Sequence, residues 1–135
     1  MDNCIFCKIG KGEIPAHKVY EDSKVLAFLD VKPHAKGHTV VIPKAHGVTV
    51  FDFKDSQLQE LIVAIRKTMD KIQKALQPDG FNVGWNHHSA AGQVVPHLHV
   101  HIMPRYLGDG GGSMHSIVKN HGNMTVEEVG RKFRK

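Results

Sequence analysis

Residues 96–104 place a histidine at every second position and fill each gap with an aliphatic residue. Successive side chains of an extended strand point to opposite faces, so the histidines share one face and the aliphatic residues share the other. With a rise of about 3.3 Å per residue, neighbouring histidines stand roughly 6.5 to 7 Å apart. The pattern predicts a strand with one buried face and one face available for chemistry. The histidines are His97, His99 and His101, and the aliphatic residues are Leu98, Val100 and Ile102.

Other origins of a histidine-rich tract fit this stretch less well. Among 135 residues with 11 histidines, such a tract can arise by chance, as an affinity tag or as a loose metal-binding tract. Tags are terminal and uninterrupted, whereas this tract is internal and alternates. A half-buried strand whose histidines face water is another possible interpretation, although histidine is neither a typical strand-forming residue nor a typical water-exposed one. We therefore expect the histidines to be functional.

The rest of the chain alternates short extended segments with helical ones. Apolar residues recur every three or four positions from Leu58 to Leu76, which predicts a long amphipathic helix with Ser56 and Gln59 as a capping box. Short connections favour antiparallel pairing, so we expect an α+β fold with about five strands, mostly antiparallel, one long helix and short terminal helices. The predicted elements are a helical turn at 4–9, strands at 17–21, 25–29, 38–42, 81–85 and 94–104, and helices at 56–76 and 126–133.

Two polar segments separate or follow these elements. Residues 86–93 are expected to form a loop, and no role is assigned to His87 and His88 within it. The glycine-rich segment 108–113 lacks the Lys-Ser/Thr ending of a P-loop, so a flexible connector is expected there. Thr125 and Glu128 form a second candidate capping box, at the start of the terminal helix.

Composition limits the class of protein more than its function. A net charge of +5 fits an anionic ligand but is also common in other proteins. The basic cluster 131–135 suits the end of a helix better than a nucleic-acid-binding arm. Residues 1–4 lack the features of a signal peptide, and no long apolar run occurs, so we expect a cytoplasmic protein without membrane or nucleic-acid partners. Two cysteines, Cys4 and Cys7, exclude a disulfide framework and leave thiols, a redox pair or metal ligands.

The segment 97–103 resembles the signature of the histidine triad (HIT) family of nucleotide hydrolases and transferases. Further segments resemble family segments in the family's order, at 4–9, 13–15, 27–30, 37–44 and 92–93. The resemblance covers residues 4–105 and implies a single HIT domain over 1–135, with a C-terminal extension at 106–135. It is strongest to zinc-bearing bacterial and archaeal members, and Met103-Pro104-Arg105 is similar to the diadenosine-polyphosphate-cleaving branch. Val94 departs from the phosphoramidase branch, which commonly has a serine at that position.

The resemblance implies a catalytic role for three histidines. In the family the middle histidine of the triad is the nucleophile, which maps to His99. A neutral imidazole is a good nucleophile, and attack on the α-phosphorus divides hydrolysis into two displacements through a covalent nucleotidyl-histidine. His101 and His38 are then candidate donors to phosphate oxygens, and Gln93 and Asn86 are candidates for positioning them.

By the same resemblance, Asp30 binds the ribose hydroxyls, although it is also placed as an ordinary turn residue at the end of a strand. The base pocket implied by the resemblance consists of residues that equally suit a plain hydrophobic core. These residues are Ile5, Phe6, Ile9, Phe28 and Val31.

A structural zinc ion is implied as well. Tetrahedral zinc requires four ligands, and in similar zinc-bearing members two histidines complete the set begun by the two cysteines. The implied ligands are Cys4, Cys7, His46 and His97. No organic cofactor is expected. The resemblance thus implies a homodimeric hydrolase of purine nucleotide conjugates, namely dinucleoside polyphosphates or nucleoside phosphoramidates, and the alternative is a nucleotide- or zinc-binding sensor with little or no turnover.

Overall fold

A computed structural model describes residues 3–134, so Met1, Asp2 and Lys135 and the expectations that include them lie outside the described residues. The predicted order β-β-β-α-β-β between short terminal helices is confirmed. The strands are β1 (Lys18–Glu21), β2 (Val25–Leu29), β3 (Thr39–Pro43), β4 (Gly80–Gly84) and β5 (Val100–Arg105). The α-helices are α1 (Ile5–Gly10), α2 (Asp55–Leu76) and α3 (Val126–Arg131), and single 3-10 turns cover Val50–Asp52, Ser89–Ala91 and Met114–Ser116.

The five strands form one sheet in the order β1-β2-β3-β5-β4, and every neighbouring pair is antiparallel. The expected α+β class is therefore confirmed. β5 inserts between β3 and β4, which brings His101 opposite Val40 and Ile102 opposite Thr39. The histidine-bearing strand thus lies inside the sheet, where strands on both sides fix its position.

The two faces of the sheet are buried in different ways. On one face, α2 packs its buried residues against alternate strand residues, including the predicted aliphatic set at 98, 100 and 102. On the opposite face, a smaller cluster forms beside α1 from Ile9, Leu26, Phe28, Val40 and Ile42. Because His101 is paired with Val40, its side chain lies on the α1 face. The α2 face stabilises the sheet, and the α1 face carries the histidine.

Two sequence predictions about β5 and α2 are wrong in detail. β5 begins at Val100 rather than at residue 94, because Pro43 lies where the β3 ladder would continue and has no N–H to donate. The preceding chain is held instead by the Leu98 N–H, which donates to the Gly47 carbonyl at 2.7 Å. At the start of α2, the backbone N–H of Lys54 donates to the side chain of Gln57 at 2.9 Å, and Ser56 and Gln59 do not form the predicted box.

The C-terminal extension carries little buried surface. The capping box of Thr125 and Glu128 is confirmed, with both reciprocal hydrogen bonds present, although α3 ends at Arg131 rather than at residue 133. Most side chains after Tyr106 are exposed. Within residues 3–134, none of the helices combines the length and apolar character needed to span a bilayer.

Candidate active site and metal centre

His99 lies directly before β5 and is only 7% exposed. Its Nδ1 is 2.7 Å from the carbonyl oxygen of His97. A carbonyl oxygen only accepts hydrogen bonds, so in the neutral ring Nδ1 carries the proton and Nε2 keeps its lone pair. The ring of Phe6 packs edge-on against His99, with centroids 5.0 Å apart. The imidazole is therefore held in one tautomer and one orientation, as a nucleophile requires.

His38 and His101 form a directed hydrogen-bonded pair. The backbone N–H of His34 donates to His38 Nδ1 at 3.1 Å, which places the proton of a neutral His38 on Nε2. That Nε2 lies 2.9 Å from His101 Nδ1 and donates to it. His101 then carries its own proton on Nε2. His101 Nε2 has no hydrogen-bond partner among the described residues 3–134, so this N–H is available to donate.

Burial keeps this pair uncharged. Desolvation lowers the pKa of His38, and desolvation together with the nearby His99 and His38 lowers the pKa of His101 to about 4. Asp30, whose carboxylate is 3.6 Å from His38 Nε2, opposes both shifts without reversing them. At neutral pH both rings therefore act as neutral hydrogen-bond donors and acceptors.

Asp30 makes the turn contact expected of a strand-ending aspartate, and its ribose role stays a prediction. Its Oδ1 accepts from the Lys32 N–H at 2.8 Å, which is the turn contact of an ordinary strand-ending aspartate. Its other oxygen faces His38 and a cavity of about 470 Å³ beside the histidine pair. The cavity is lined by Asp30, His34, His38, Asn82, Val83, Gly84, Trp85, Asn86, His101, Met103, Met114 and Ile117.

Asn86 also lines this cavity, whereas the other expected ligand-binding residues lie outside its lining. Gln93 uses its carboxamide within the protein: Nε2 donates to the carbonyls of Val48 and Val95, and Oε1 accepts from the His88 N–H. The expected base-pocket residues occupy α1, β2 and the loop after β2. Ile9 and Phe28 are buried, Phe6 contacts both Phe28 and His99, Ile5 is exposed, and Val31 is 84% exposed.

Four side chains converge between α1 and the segment before β5. Cys4, Cys7, His46 and His97 each offer a ligand atom, and these atoms lie within 4.8 Å of one another. The sulfur-to-nitrogen distances are 3.3 Å for Cys4 and His97, 3.3 Å for Cys7 and His46, and 3.5 Å for Cys7 and His97. Tetrahedral zinc separates such ligand atoms by about 3.6 Å. These three distances are close to that separation, so the cluster could hold a metal ion.

The surroundings of the cluster suit a metal ion. His97 Nε2 donates to the Pro43 carbonyl at 2.8 Å, which leaves Nδ1 as the ligand atom and supplies the outer hydrogen bond typical of metal-bound histidines. Burial and the neighbouring Cys4 raise the pKa of the Cys7 thiol.

A second group, Asp30, His38 and His101, is equally compact but does not suit a metal. Coordination through His38 Nε2 would move its proton to Nδ1, where it would face the N–H of His34. The hydrogen bond between the two histidines would be lost as well. The tautomers described above therefore favour a hydrogen bond between His38 and His101 over a metal ion bound by both rings.

Comparison with known proteins identifies the fold family. Residues 11–108 match the HIT domain. An uncharacterised HIT-like protein of Methanocaldococcus jannaschii is 50% identical over 117 residues, covering 87% of this chain and 90% of the relative. The chain belongs to the HIT family. An adenosine 5'-monophosphoramidase of Schizosaccharomyces pombe is 41% identical over 103 residues, which is 76% of this HIT protein and 74% of the relative. A zinc-bound histidine triad protein of Mycobacterium smegmatis has a TM-score of 0.76 at 36% identity, covering 81% of this chain and 79% of that one.

Sequence reasoning missed two parts of the HIT site. The backbone N–H of His34 sets the tautomer of His38, and a backbone donor leaves no mark in a side-chain pattern. Met114 and Ile117 reach the cavity from the C-terminal extension, beyond the segment that resembles the family. Their apolar character is visible in the sequence, but their distance from the triad along the chain concealed the contact.

Proposed function

We propose that this HIT protein is a hydrolase that cleaves the α-phosphate linkage of purine nucleotide conjugates through a covalent nucleotidyl group on His99. The observation that carries the proposal is the hydrogen bond from His99 Nδ1 to the His97 carbonyl, which in the neutral ring places the lone pair on Nε2. The neutral donor at His101 is the second support. The relative named as an adenosine 5'-monophosphoramidase supports an adenine nucleotide as substrate.

In the first step, His99 Nε2 attacks the α-phosphorus, a P–N bond forms, and the bond to the leaving group breaks as that group takes up a proton. The free N–H of His101 donates to a phosphoryl oxygen as negative charge grows there. Loss of one such donor typically costs about 100- to 1000-fold in kcat. In the second step, water attacks the same phosphorus, the P–N bond breaks, and the nucleoside monophosphate leaves.

The other site residues position the nucleotide. Asp30 accepts from the ribose hydroxyls, and Asn86 donates to the phosphate from the cavity wall. Gln93 stabilises the loop that carries Asn86, since its carboxamide already links that loop to Val48 and Val95. The adenine base lies against α1 and β2, in contact with the set proposed from the sequence. That set is Ile5, Phe6, Ile9, Phe28 and Val31.

We also propose that the cysteine–histidine cluster holds a structural zinc ion. Cys4, Cys7, His46 and His97 supply two sulfur and two nitrogen ligands, a set that zinc prefers. Bound zinc would tie α1 to the segment before β5. The His97 carbonyl orients His99, which lies two residues further along the chain. A metal ion that holds His97 in place would therefore also help to hold the proposed nucleophile in place.

A homodimer is proposed through the α2 face and the free edge of β4. Ile62 and Val63 on α2 and Trp85 after β4 are exposed apolar side chains, and Ile62 is 60% exposed. Within residues 3–134, β4 pairs only with β5, so its outer edge can pair with a second copy. Ile62→Arg should therefore yield monomers in sedimentation, while Val126→Arg on the exposed α3 should not. Equal sedimentation of both variants as dimers would remove this face from consideration.

The hydrolase proposal is tested with adenosine 5'-phosphoramidate and a diadenosine polyphosphate. His99→Ala should lower kcat/KM by roughly 1000-fold or more, as expected for loss of a nucleophile. His87→Ala serves as the matched control, because His87 lies in the adjacent loop and has no proposed role. Equal turnover by both variants would exclude His99 as nucleophile. Tight nucleotide binding without turnover in the wild-type protein would instead support the sensor alternative.

A further inference from the structure

Phe6 lies where the cysteine–histidine cluster, the proposed nucleophile and the proposed base pocket meet. Its ring packs edge-on against His97, His99 and Phe28, with centroid separations of 5.9, 5.0 and 5.7 Å respectively. The side chain is half-buried, so part of its surface faces solvent beside these contacts. A single residue of α1 therefore contacts a candidate metal ligand, the proposed nucleophile and one wall of the proposed base pocket.

The helix that carries Phe6 depends on tertiary contacts at both of its ends. α1 has six residues, and isolated helices shorter than about 12 residues are marginal in water. Its C-terminal end is held by Ile9, which is buried in the smaller core cluster on the α1 face of the sheet. At its N-terminal end, the Cys4 sulfur accepts from the Cys7 N–H, and both sulfurs lie within 3.5 Å of His97 Nδ1. A metal ion bound by the two cysteines would therefore fix the end of α1 from which Phe6 projects.

Candidate metal ligands and expected base contacts alternate along this short helix. Cys4 and Cys7 belong to the cluster, whereas Ile5, Phe6 and Ile9 belong to the proposed base-contacting set. Helix formation is cooperative, so one turn at this end of the chain forms or shifts as a unit. An arrangement of α1 that suits the metal therefore also presents the base-contacting side chains.

We infer that Phe6 is a positioning residue that couples the metal cluster to the nucleotide site, so that zinc and a purine nucleoside monophosphate each bind more tightly when the other is present. The base contacts the open part of the Phe6 ring, and the metal fixes the helix that carries the ring. Coupling between two sites is reciprocal for binding affinities and commonly amounts to about 5- to 150-fold. The inference rests on the proposed nucleotide site and the proposed zinc site.

The test measures the zinc affinity of the protein with and without a nucleotide. Zinc-loaded protein is titrated with a chromophoric chelator, first alone and then with adenosine 5'-monophosphate at a concentration that calorimetry shows to be saturating. The measured quantity is the ratio of the two zinc affinities, in which any general loss of stability cancels. In the wild-type protein the nucleotide should raise the zinc affinity by about 10-fold. A ratio of one in the wild-type protein would overturn the inference.

Two variants separate the role of Phe6 from a general effect of the substitution. Phe6→Leu keeps an apolar side chain beside the base but removes the aromatic contacts with His97 and His99, so the ratio should fall close to one. Phe133→Leu is the matched control, because Phe133 is exposed on the C-terminal extension and lies outside both sites, and it should keep the wild-type ratio. A wild-type ratio in Phe6→Leu would overturn the role of Phe6.

Turnover of adenosine 5'-phosphoramidate, measured separately, distinguishes failure of this inference from failure of the proposed function. Turnover combined with a ratio of one would overturn the coupling and leave the hydrolase proposal standing. A raised ratio without turnover would support the coupling and count against the hydrolase proposal. A protein that binds no zinc would overturn the coupling whatever its turnover.

Discussion

Acidification should destabilise this protein through His101. Burial and two neighbouring histidines lower its pKa in the folded state from 6.5 to about 4. Between these values the unfolded chain binds a proton that the folded chain does not, so stability is present above the unfolded pKa and is lost as pH falls. From about pH 7 to about pH 5, a shift of this size removes about 2 kcal/mol of unfolding free energy.

Urea denaturation of the wild-type protein and of His101→Gln, at both pH values, measures this contribution. Glutamine stays neutral and can accept from His38, so the variant removes the titration while keeping a hydrogen-bonding partner. The wild-type protein should lose about 2 kcal/mol more than the variant over this range. Other acid-sensitive groups, including the metal cluster, are shared by both proteins and cancel in the difference.

Two results would refute the reasoning about His101. Equal acid destabilisation of the two proteins would mean that His101 titrates in the folded state as it does in the unfolded chain. A wild-type protein that gains stability relative to the variant on acidification would mean that the folded state stabilises the charged ring. Either result would also remove the support for a neutral donor beside the phosphate.

Three further outcomes are expected. Ile102→Ala should lower the unfolding free energy by about 3 kcal/mol, because Ile102 is fully buried in the core on the α2 face of the sheet. Val94→Ala, at an exposed position, should lower it by less than about 0.5 kcal/mol. Equal losses for the two variants in urea denaturation would contradict the described core. Cys7→Ser should abolish stoichiometric zinc in protein purified without added metal, and elemental analysis that finds unchanged zinc would contradict the proposed ligand set. Asp30→Asn should raise KM for adenosine 5'-phosphoramidate by about 10-fold with little change in kcat, and an unchanged KM would contradict its ribose contact.

The alternation of histidine and aliphatic residues predicted which aliphatic side chains are buried more accurately than it predicted where the strand begins. Leu98, Val100 and Ile102 are buried as expected, although Leu98 lies outside β5. Extended backbone alternates its side chains whether or not it is paired in a sheet, so these three side chains are buried even where the strand assignment was wrong. His97 and His99 are buried as well, so the predicted accessible face is wrong for these two histidines. The strand boundary depended on Pro43 of a partner strand, and sequence patterns within 94–104 carry no information about that partner.

The separation of the histidines into different roles could be anticipated only through family resemblance. Composition and spacing treat His97, His99 and His101 alike. Their environments differ because His97 lies against the cysteines, His99 donates to a carbonyl, and His101 accepts a hydrogen bond from His38. These differences arise from contacts between distant segments of the chain, which local patterns do not record. The contribution of the C-terminal extension to the cavity was missed for the same reason.

The most direct test of the central claim is to identify the residue that becomes nucleotidylated during turnover. Wild-type protein mixed briefly with adenosine 5'-phosphoramidate and then denatured under alkaline conditions, which preserve a P–N bond, is digested and mapped by mass spectrometry. The account predicts an adenosine monophosphate adduct on His99 and none in His99→Gln. An adduct on another residue, or full turnover by His99→Gln, would contradict it.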